Sequence, residues 1–253
     1  MDLNSINRLN QMFDQESDLA CWEMLWASLQ AECLGDCVIA YAGDAQGYVN
    51  ECAVAAERTI TMRCGDRLRF QARGQSLWTY LGVGGGWHGP QWFGSQSVWP
   101  DGGMGRLLRD GDILSAAGAP AWQLPEGVSA RFLRAENSMR NSHFRVFKGP
   151  QWLAFPEAAR ESFFQSPWRI SEQSNRAGFR LEGPALSVPE KQWISEPIVV
   201  GSIQVPANGQ PIVLLNDGPT VGGYAKIAVL HPDDLNRFRQ FPPGCLITFS
   251  LLS

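Results

Sequence analysis

Apolar positions fall at helical spacing in three places along the chain; elsewhere they form short runs or alternate with polar residues. The first place is residues 1–13, where Leu3, Ile6 and Leu9, with Asn10, predict one side of a short amphipathic helix. "FPEAARESFFQS" (155–166) predicts the second: Pro156 sits near its start, acidic residues follow in the first turns, and Phe163 and Phe164 share a side. "HPDDLNRFRQF" (231–241) predicts the third, opened by Pro232 and two aspartates, burying Leu235 and Phe238, and closed by Pro242.

The remaining apolar segments read as strands. "LACWEMLWASL", "CVIAYA", "RTITM", "DRLRFQA", "SLWTYLGV", "SARFLRA" and "HFRVFKG" are short, rich in aromatic and β-branched residues, and separated by polar or glycine turns. In "CGDRLRF" (64–70), "DGDILSA" (110–116) and "PGCLITF" (243–249) a glycine turn precedes an apolar segment, a device suited to a closed or nearly closed sheet. "SEPIVVGSIQVPANGQPIVLL" (195–215) predicts a hairpin around Asn208-Gly209. "GAPAWQLPEGV" (118–128), with two prolines and two glycines, is the best linker. The expected fold is mainly β, with a few short helices.

Composition narrows the function. A chain of 253 residues with 44% hydrophobic and 18% charged residues fits a globular protein of one large or two ordinary domains. A net charge of −4, with lysines and arginines spread singly, argues against a nucleic-acid surface. No apolar run reaches the roughly 18 residues a membrane helix needs, and no secretory leader opens the chain, so a cytoplasmic location is expected. Six cysteines without a CxxC pair, and three histidines, predict ordinary reduced thiols and no metal site; Cys33 and Cys37 make the nearest approach to a pair.

Familiar catalytic loops do not match. "GGGWHG" (84–89) has the letters of a dinucleotide fingerprint but is followed by Pro90 and no helical period, so it reads as a glycine-lined turn. The P-loop and the G-x-S-x-G elbow have no counterpart. Three stretches carry candidate chemistry. "SNRAGFRLEGP" (174–184) sets Phe179 and Leu181 on one strand face and Arg180 and Glu182 on the other; its arginines form either an ordinary ion pair or a guanidinium fork for a carboxylate. Glu196 and Gln204 stand among apolar neighbours, as pocket lining or as plain ladder positions. "NDGPTVGGYAKIAV" (216–229) reads as a glycine turn with one lysine, Lys226, where a following strand should run.

Read in order, "PWRISEQSNRAGFRLEGP", "SEPIVVGSIQVPANGQPIVLL" and "NDGPTVGGYAKIAVLHPDDLNRFRQFPPGCLITF" strongly resemble the C subunit of the bacterial ATP-dependent 5-oxoprolinases. That family is also described as allophanate hydrolase subunit 2 or the biotin-dependent carboxyltransferase family, and includes the KipA regulators. The likeness continues through "KGPQWLAFPEAARESFF" and "LWTYLGVGGGWHGPQWFGSQS". It implies a β-rich N-terminal domain (1–118) and a cyclophilin-like barrel domain (119–253). Family members open with a "TTVQDxGR"-like lead-in, and this chain starts at what resembles its end. The family's "QTTGGYPKI" is "PTVGGYAKI" here, and its "SEG" is "SEP" at Pro197.

The resemblance implies a complex with a KipI-like B component and a LamB/YcsF-like A component that uses ATP to open 5-oxo-L-proline to L-glutamate. It implies catalytic Lys226, Glu196 and Arg176, with Gly222, Gly223, Tyr224, Gln204 and Asn175 binding the small-molecule substrate. Two other readings stay open: a non-catalytic KipA-like binding protein, and a carboxyltransferase acting on a urea-like amide with carboxybiotin. The chain has no Met-Lys-Met biotinyl site, so that last reading needs a separate carrier.

Overall fold

The structure is a computed structural model that describes residues 1–14, 20–116, 130, 141–190 and 193–252. Two compact units divide the chain, residues 2–136 and residues 137–253 with Met1. The expected linker at 118–128, the boundary at 118/119 and most of "SARFLRA" lie outside the described residues.

The first unit opens with α1 (Leu3–Met12), capped by Asp2, whose carboxylate accepts the Asn4 and Ser5 backbone N–H groups. Strands β1 (Trp22–Leu25), β2 (Ser28–Glu32), β3 (Cys37–Gly43), β4 (Ala45–Val49), β5 (Cys52–Val54), β6 (Ile60–Met62), β7 (Arg67–Ala72) and β8 (Trp78–Val83) follow. They form two four-stranded antiparallel sheets, β1-β8-β3-β6 and β2-β7-β4-β5. Ile39, Tyr41, Met62, Leu81 and Val83 from the first sheet meet Ala45, Leu68 and Phe70 from the second in one apolar core. Tyr41 stands edge-on to Phe70 at 4.8 Å. Its hydroxyl donates to the Val54 carbonyl (2.8 Å) and accepts the Gly47 N–H (3.1 Å), so the buried polar atom is satisfied.

Helix α1 covers the other face of the first sheet, which is why every residue of β8 is buried rather than alternate ones. Its inward stripe is Ser5, Leu9 and Met12, while Leu3, expected on that side, is exposed. A Cβ at Gly82 would lie 2.9 Å from the Phe13 ring, so glycine permits the close approach of helix and sheet. The β4–β5 hairpin was invisible to pattern because Asn50-Glu51 replaces Asn-Gly; both residues nevertheless take the left-handed conformation (φ 47° and 64°) that the tight turn requires. "GGGWHG" makes a turn and then β9 (Trp87–His88), which pairs with β10 (Ser115–Ala116). "DGDILSA" therefore contributes only two strand residues, and Ile113 is exposed.

The second unit contains β11 (His143–Lys148), α2 (Glu157–Gln165), β12 (Trp168–Ile170), β13 (Gly178–Glu182), β14 (Glu196–Pro197), β15 (Ser202–Val205), β16 (Ile212–Leu214), β17 (Val221–Gly222), β18 (Ala225–Leu230), α3 (Pro232–Arg239) and β19 (Leu246–Leu251). Seven of these strands close into a barrel, β11-β18-β15-β16-β13-β12-β19, and a parallel pairing of β19 with β11 completes the ring. The β-rich fold with a barrel in the C-terminal half, expected from the sequence, is thus the observed one.

Alternation on β13 falls as expected, with Phe179 and Leu181 buried and Arg180 and Glu182 exposed. Phe163 of α2 stacks on Phe249 of β19 (4.9 Å), and its carbonyl accepts the indole N–H of Trp168 (3.0 Å). Helix α3 buries Phe238 completely, and Leu235 also faces inward. Asp234 ties it to β11 by accepting the Arg145 backbone N–H (2.8 Å) and guanidinium (3.0 Å).

Candidate functional site

Strands β15 and β18 lie side by side, and a register shift between Ile203 and Gln204 brings Gln204 opposite Lys226. Such a bulge re-aims side chains locally. Every residue of β15 is buried, as are the first four of β18. Lys226 is the second residue of β18, and only 4% of its side chain is exposed. A buried ammonium needs a partner, and Lys226 Nζ finds Glu196 Oε2 at 2.9 Å. Glu196 sits on β14, which forms a two-stranded ribbon with β17 by pairing Glu196 with Gly222 and Pro197 with Val221.

Gln151 joins the pair from the turn after β11. Its Nε2 donates to the same Glu196 oxygen (2.9 Å), while its Oε1 accepts the Lys226 backbone N–H (3.0 Å). The backbone of the turn is also held: the Gln151 N–H donates to the Lys226 carbonyl (3.3 Å) and the Gly149 N–H to the Ile227 carbonyl (2.9 Å). A Cβ at Gly149 would fall 2.2 Å from the Lys226 carbonyl oxygen, so only glycine allows this seat. The hydrogen bond from Lys226, then that from Gln151, holds the Glu196 carboxyl below its ordinary value of 4.5. It is therefore a carboxylate at neutral pH.

Gln204 completes the arrangement. It is 4% exposed, and its Nε2 has no hydrogen-bond partner among the described residues. Gly222 lies over it: a Cβ there would sit 3.0 Å from Gln204 Nε2 and 2.8 Å from Ile198 Cδ1. Lys226, Glu196, Gln204 and Gly222, four of the residues singled out in the sequence, thus share one site. Gly223 packs near the Trp193 carbonyl, and Tyr224 is exposed at the entry to β18.

Arg176 and Asn175 are used differently. Arg176 grips Asp217 through Nε (2.7 Å) and Nη2 (3.3 Å), and its carbonyl accepts the Asp217 N–H (3.2 Å), pinning the start of the "NDGPTVGG" loop. Asn175 Oδ1 accepts the N–H groups of Ala177 (2.9 Å) and Gly178 (3.3 Å), closing the turn before β13. Gln151 was missed by sequence reasoning; the only available signal was its place in "KGPQW", a glycine-proline turn ahead of an apolar run. Chemically, the site gathers an ammonium, an amide N–H with no partner among the described residues, and a carboxylate. Those are two donors for negative charge on a carbonyl oxygen and one acceptor for a proton.

Among the described residues no group of three or more His, Cys, Asp or Glu side chains could hold a metal, and no helix is long and apolar enough to cross a membrane. The model of the carboxyltransferase domain, subdomain A and B, matches residues 1–251. The chain is 32% identical to the C subunit of Escherichia coli 5-oxoprolinase, over 98% of its own length and 80% of that protein. Identity to the C subunit of Haemophilus influenzae 5-oxoprolinase is 31%, over 76% of this chain and 62% of the relative. Among solved structures, the Kluyveromyces lactis urea carboxylase superposes with a TM-score of 0.87 at 26% identity, over all of this chain and 24% of that one. The chain belongs to the carboxyltransferase-domain family, subdomain A and B, that includes the C subunit of 5-oxoprolinase.

Proposed function

We propose that this chain is the C subunit of a cytoplasmic, ATP-dependent 5-oxoprolinase that converts 5-oxo-L-proline to L-glutamate together with a KipI-like B component and a LamB/YcsF-like A component. The near full-length match to the C subunit of a 5-oxoprolinase carries this reading. The Lys226 site supports it, because opening a lactam places negative charge on the carbonyl oxygen as water adds, and that charge calls for buried donors. Substrate entry exchanges the Glu196 contact of Lys226 for the lactam oxygen. Lys226 and the Gln204 amide then stabilise the oxyanion, and the freed Glu196 carboxylate accepts the proton of the attacking water. The carbon–nitrogen bond breaks as Glu196 passes that proton to the leaving nitrogen, and the new carboxylic acid gives its own proton to the amine.

The site presents a single ammonium already neutralised by a carboxylate, a poor match for a triphosphate, so no step in this chain is routed through ATP. Lys226 is also no biotin-attachment residue, since it is buried and paired. The test is reconstitution of the three-component complex with 5-oxoproline and ATP, following glutamate. Glutamate formation that requires this chain and falls with Lys226→Ala supports the proposal; full turnover without the chain overturns it. The urea carboxylase likeness favours a second reading, carboxyl transfer to a urea-like amide from a separate biotin carrier, which the same preparation tests with urea and carboxylated carrier. Tight binding of the KipI-like partner with no turnover on either substrate would identify a regulatory protein.

A further inference from the structure

The turn between β2 and β3 holds two thiols that the Lys226 site does not use. Cys33 Sγ and Cys37 Sγ are 3.7 Å apart. Their backbones are fixed by one neighbouring return. The Cys33 N–H donates to the Asp66 carbonyl (2.8 Å), and the Cys33 carbonyl accepts the Gly65 N–H (2.7 Å). Cys37 lies on β3, paired with Met62 of β6. Between them, Asp36 is clamped by the Cys64 N–H (2.9 Å) and the Arg63 guanidinium (2.6 Å). Both side chains are half-buried against the edge of the sandwich core, so the sulfurs face each other from anchored positions.

We propose that Cys33 and Cys37 are a redox modification site that forms a reversible disulfide, stapling the end of β2 in one sheet to β3 of the other. The oxidant is a small-molecule disulfide such as oxidised glutathione. Cys33 loses its proton and attacks one sulfur of the oxidant, releasing a thiolate and leaving a mixed disulfide on Cys33. Cys37 then loses its proton and attacks the Cys33 sulfur, releasing the second thiolate. The two protons end on the two released thiols, so two protein thiols are oxidised as one disulfide is reduced.

Cys33 lies in the turn while Cys37 is held on a paired strand, which makes Cys33 the first attacker. Burial, with the Cys33 thiol and Asp36 alongside, also pushes the Cys37 thiol up to about 12. Ring closure brings the sulfurs from 3.7 Å to about 2.05 Å. Cys64 leans on the same turn, its Sγ directed at the Leu34 carbonyl (3.4 Å), and is the competing partner.

The experiment equilibrates the full chain in glutathione buffers of rising oxidised fraction, alkylates the remaining thiols, and cleaves before Asp36 with endoproteinase Asp-N. Two of the six thiols should be lost, and the fragments on either side of the cut should stay joined until dithiothreitol is added. The linkage should vanish in Cys33→Ser and Cys37→Ser and persist in Cys64→Ser. Six free thiols throughout, a glutathione adduct arrested on either cysteine, or a bridge to Cys64 would each overturn the proposal. Mapping of the unsubstituted chain decides the matter even where a variant folds poorly, and the outcome is independent of turnover at Lys226.

Discussion

Two buried polar side chains, Tyr41 in the sandwich and Gln204 in the barrel, are held in opposite ways. In the sandwich, Tyr41 places its hydroxyl between two backbone groups and satisfies both lone pair and proton. In the barrel, Gln204 is deeply buried too, yet its amide nitrogen has no partner among the described residues, and Lys226 beside it depends on a carboxylate from a separate ribbon. An unsatisfied buried donor costs roughly 1–3 kcal/mol. A ligand that uses the donor offsets such a cost, which is what the proposed oxyanion role asks of Gln204.

Substitutions separate packing from function at these positions. Phe163→Ala should cost about 3–5 kcal/mol in urea unfolding of the barrel, because the ring is fully buried and stacked on Phe249. This is the reference for a packing loss unrelated to function. Lys226→Met should cut glutamate formation by the reconstituted complex about 100-fold, in line with loss of one oxyanion donor, while urea unfolding moves far less than for Phe163→Ala. Equal loss of stability and turnover would mean that Lys226 is structural.

Gln204→Leu and Tyr41→Phe should then move in opposite directions. Removing the unpartnered amide should raise barrel stability by about 1 kcal/mol and lower turnover; removing the satisfied hydroxyl should lower sandwich stability by about 1 kcal/mol. A destabilised Gln204→Leu would erase the contrast.

The smallest expected effect is with pH. The Glu196 carboxyl is held below 4.5, so its contribution is complete above that value and fades as pH falls through the lowered one. The stability difference between the parent chain and Glu196→Gln should therefore shrink on acidification below 4.5 and stay constant from about pH 6 upward, well clear of the carboxylate range. A difference that grows in acid would contradict the ion pair.

Much of this was legible in the sequence, for physical reasons. Alternation at Phe179 and Leu181 and the Asn208-Gly209 turn report local geometry, which neighbouring residues determine. Glu196, Gln204 and Lys226 stood out because each interrupts an apolar run, and polar residues in such runs are either satisfied or functional. Gln151 could not be read, because its role exists only once β18, 75 residues away, lies alongside it. The partner of Arg176 was hidden for the same reason: its charge was visible, but Asp217, 41 residues on, was not recognisable as the group it would hold. Leu3 shows the limit of helical spacing, which names two candidate faces and leaves the sheet beneath to choose.

The parallel seam between β11 and β19 has a consequence for biosynthesis. His143 meets Thr248 across a separation of 105 residues, and β19 also pairs with β12. Until the ribosome has released residues 246–251, β11 and β12 each present an open edge to the crowded cell. Closing so long a loop is slow, so closure of the barrel waits on β19. Ribosomes stalled before it should yield chains that chaperones hold rather than release.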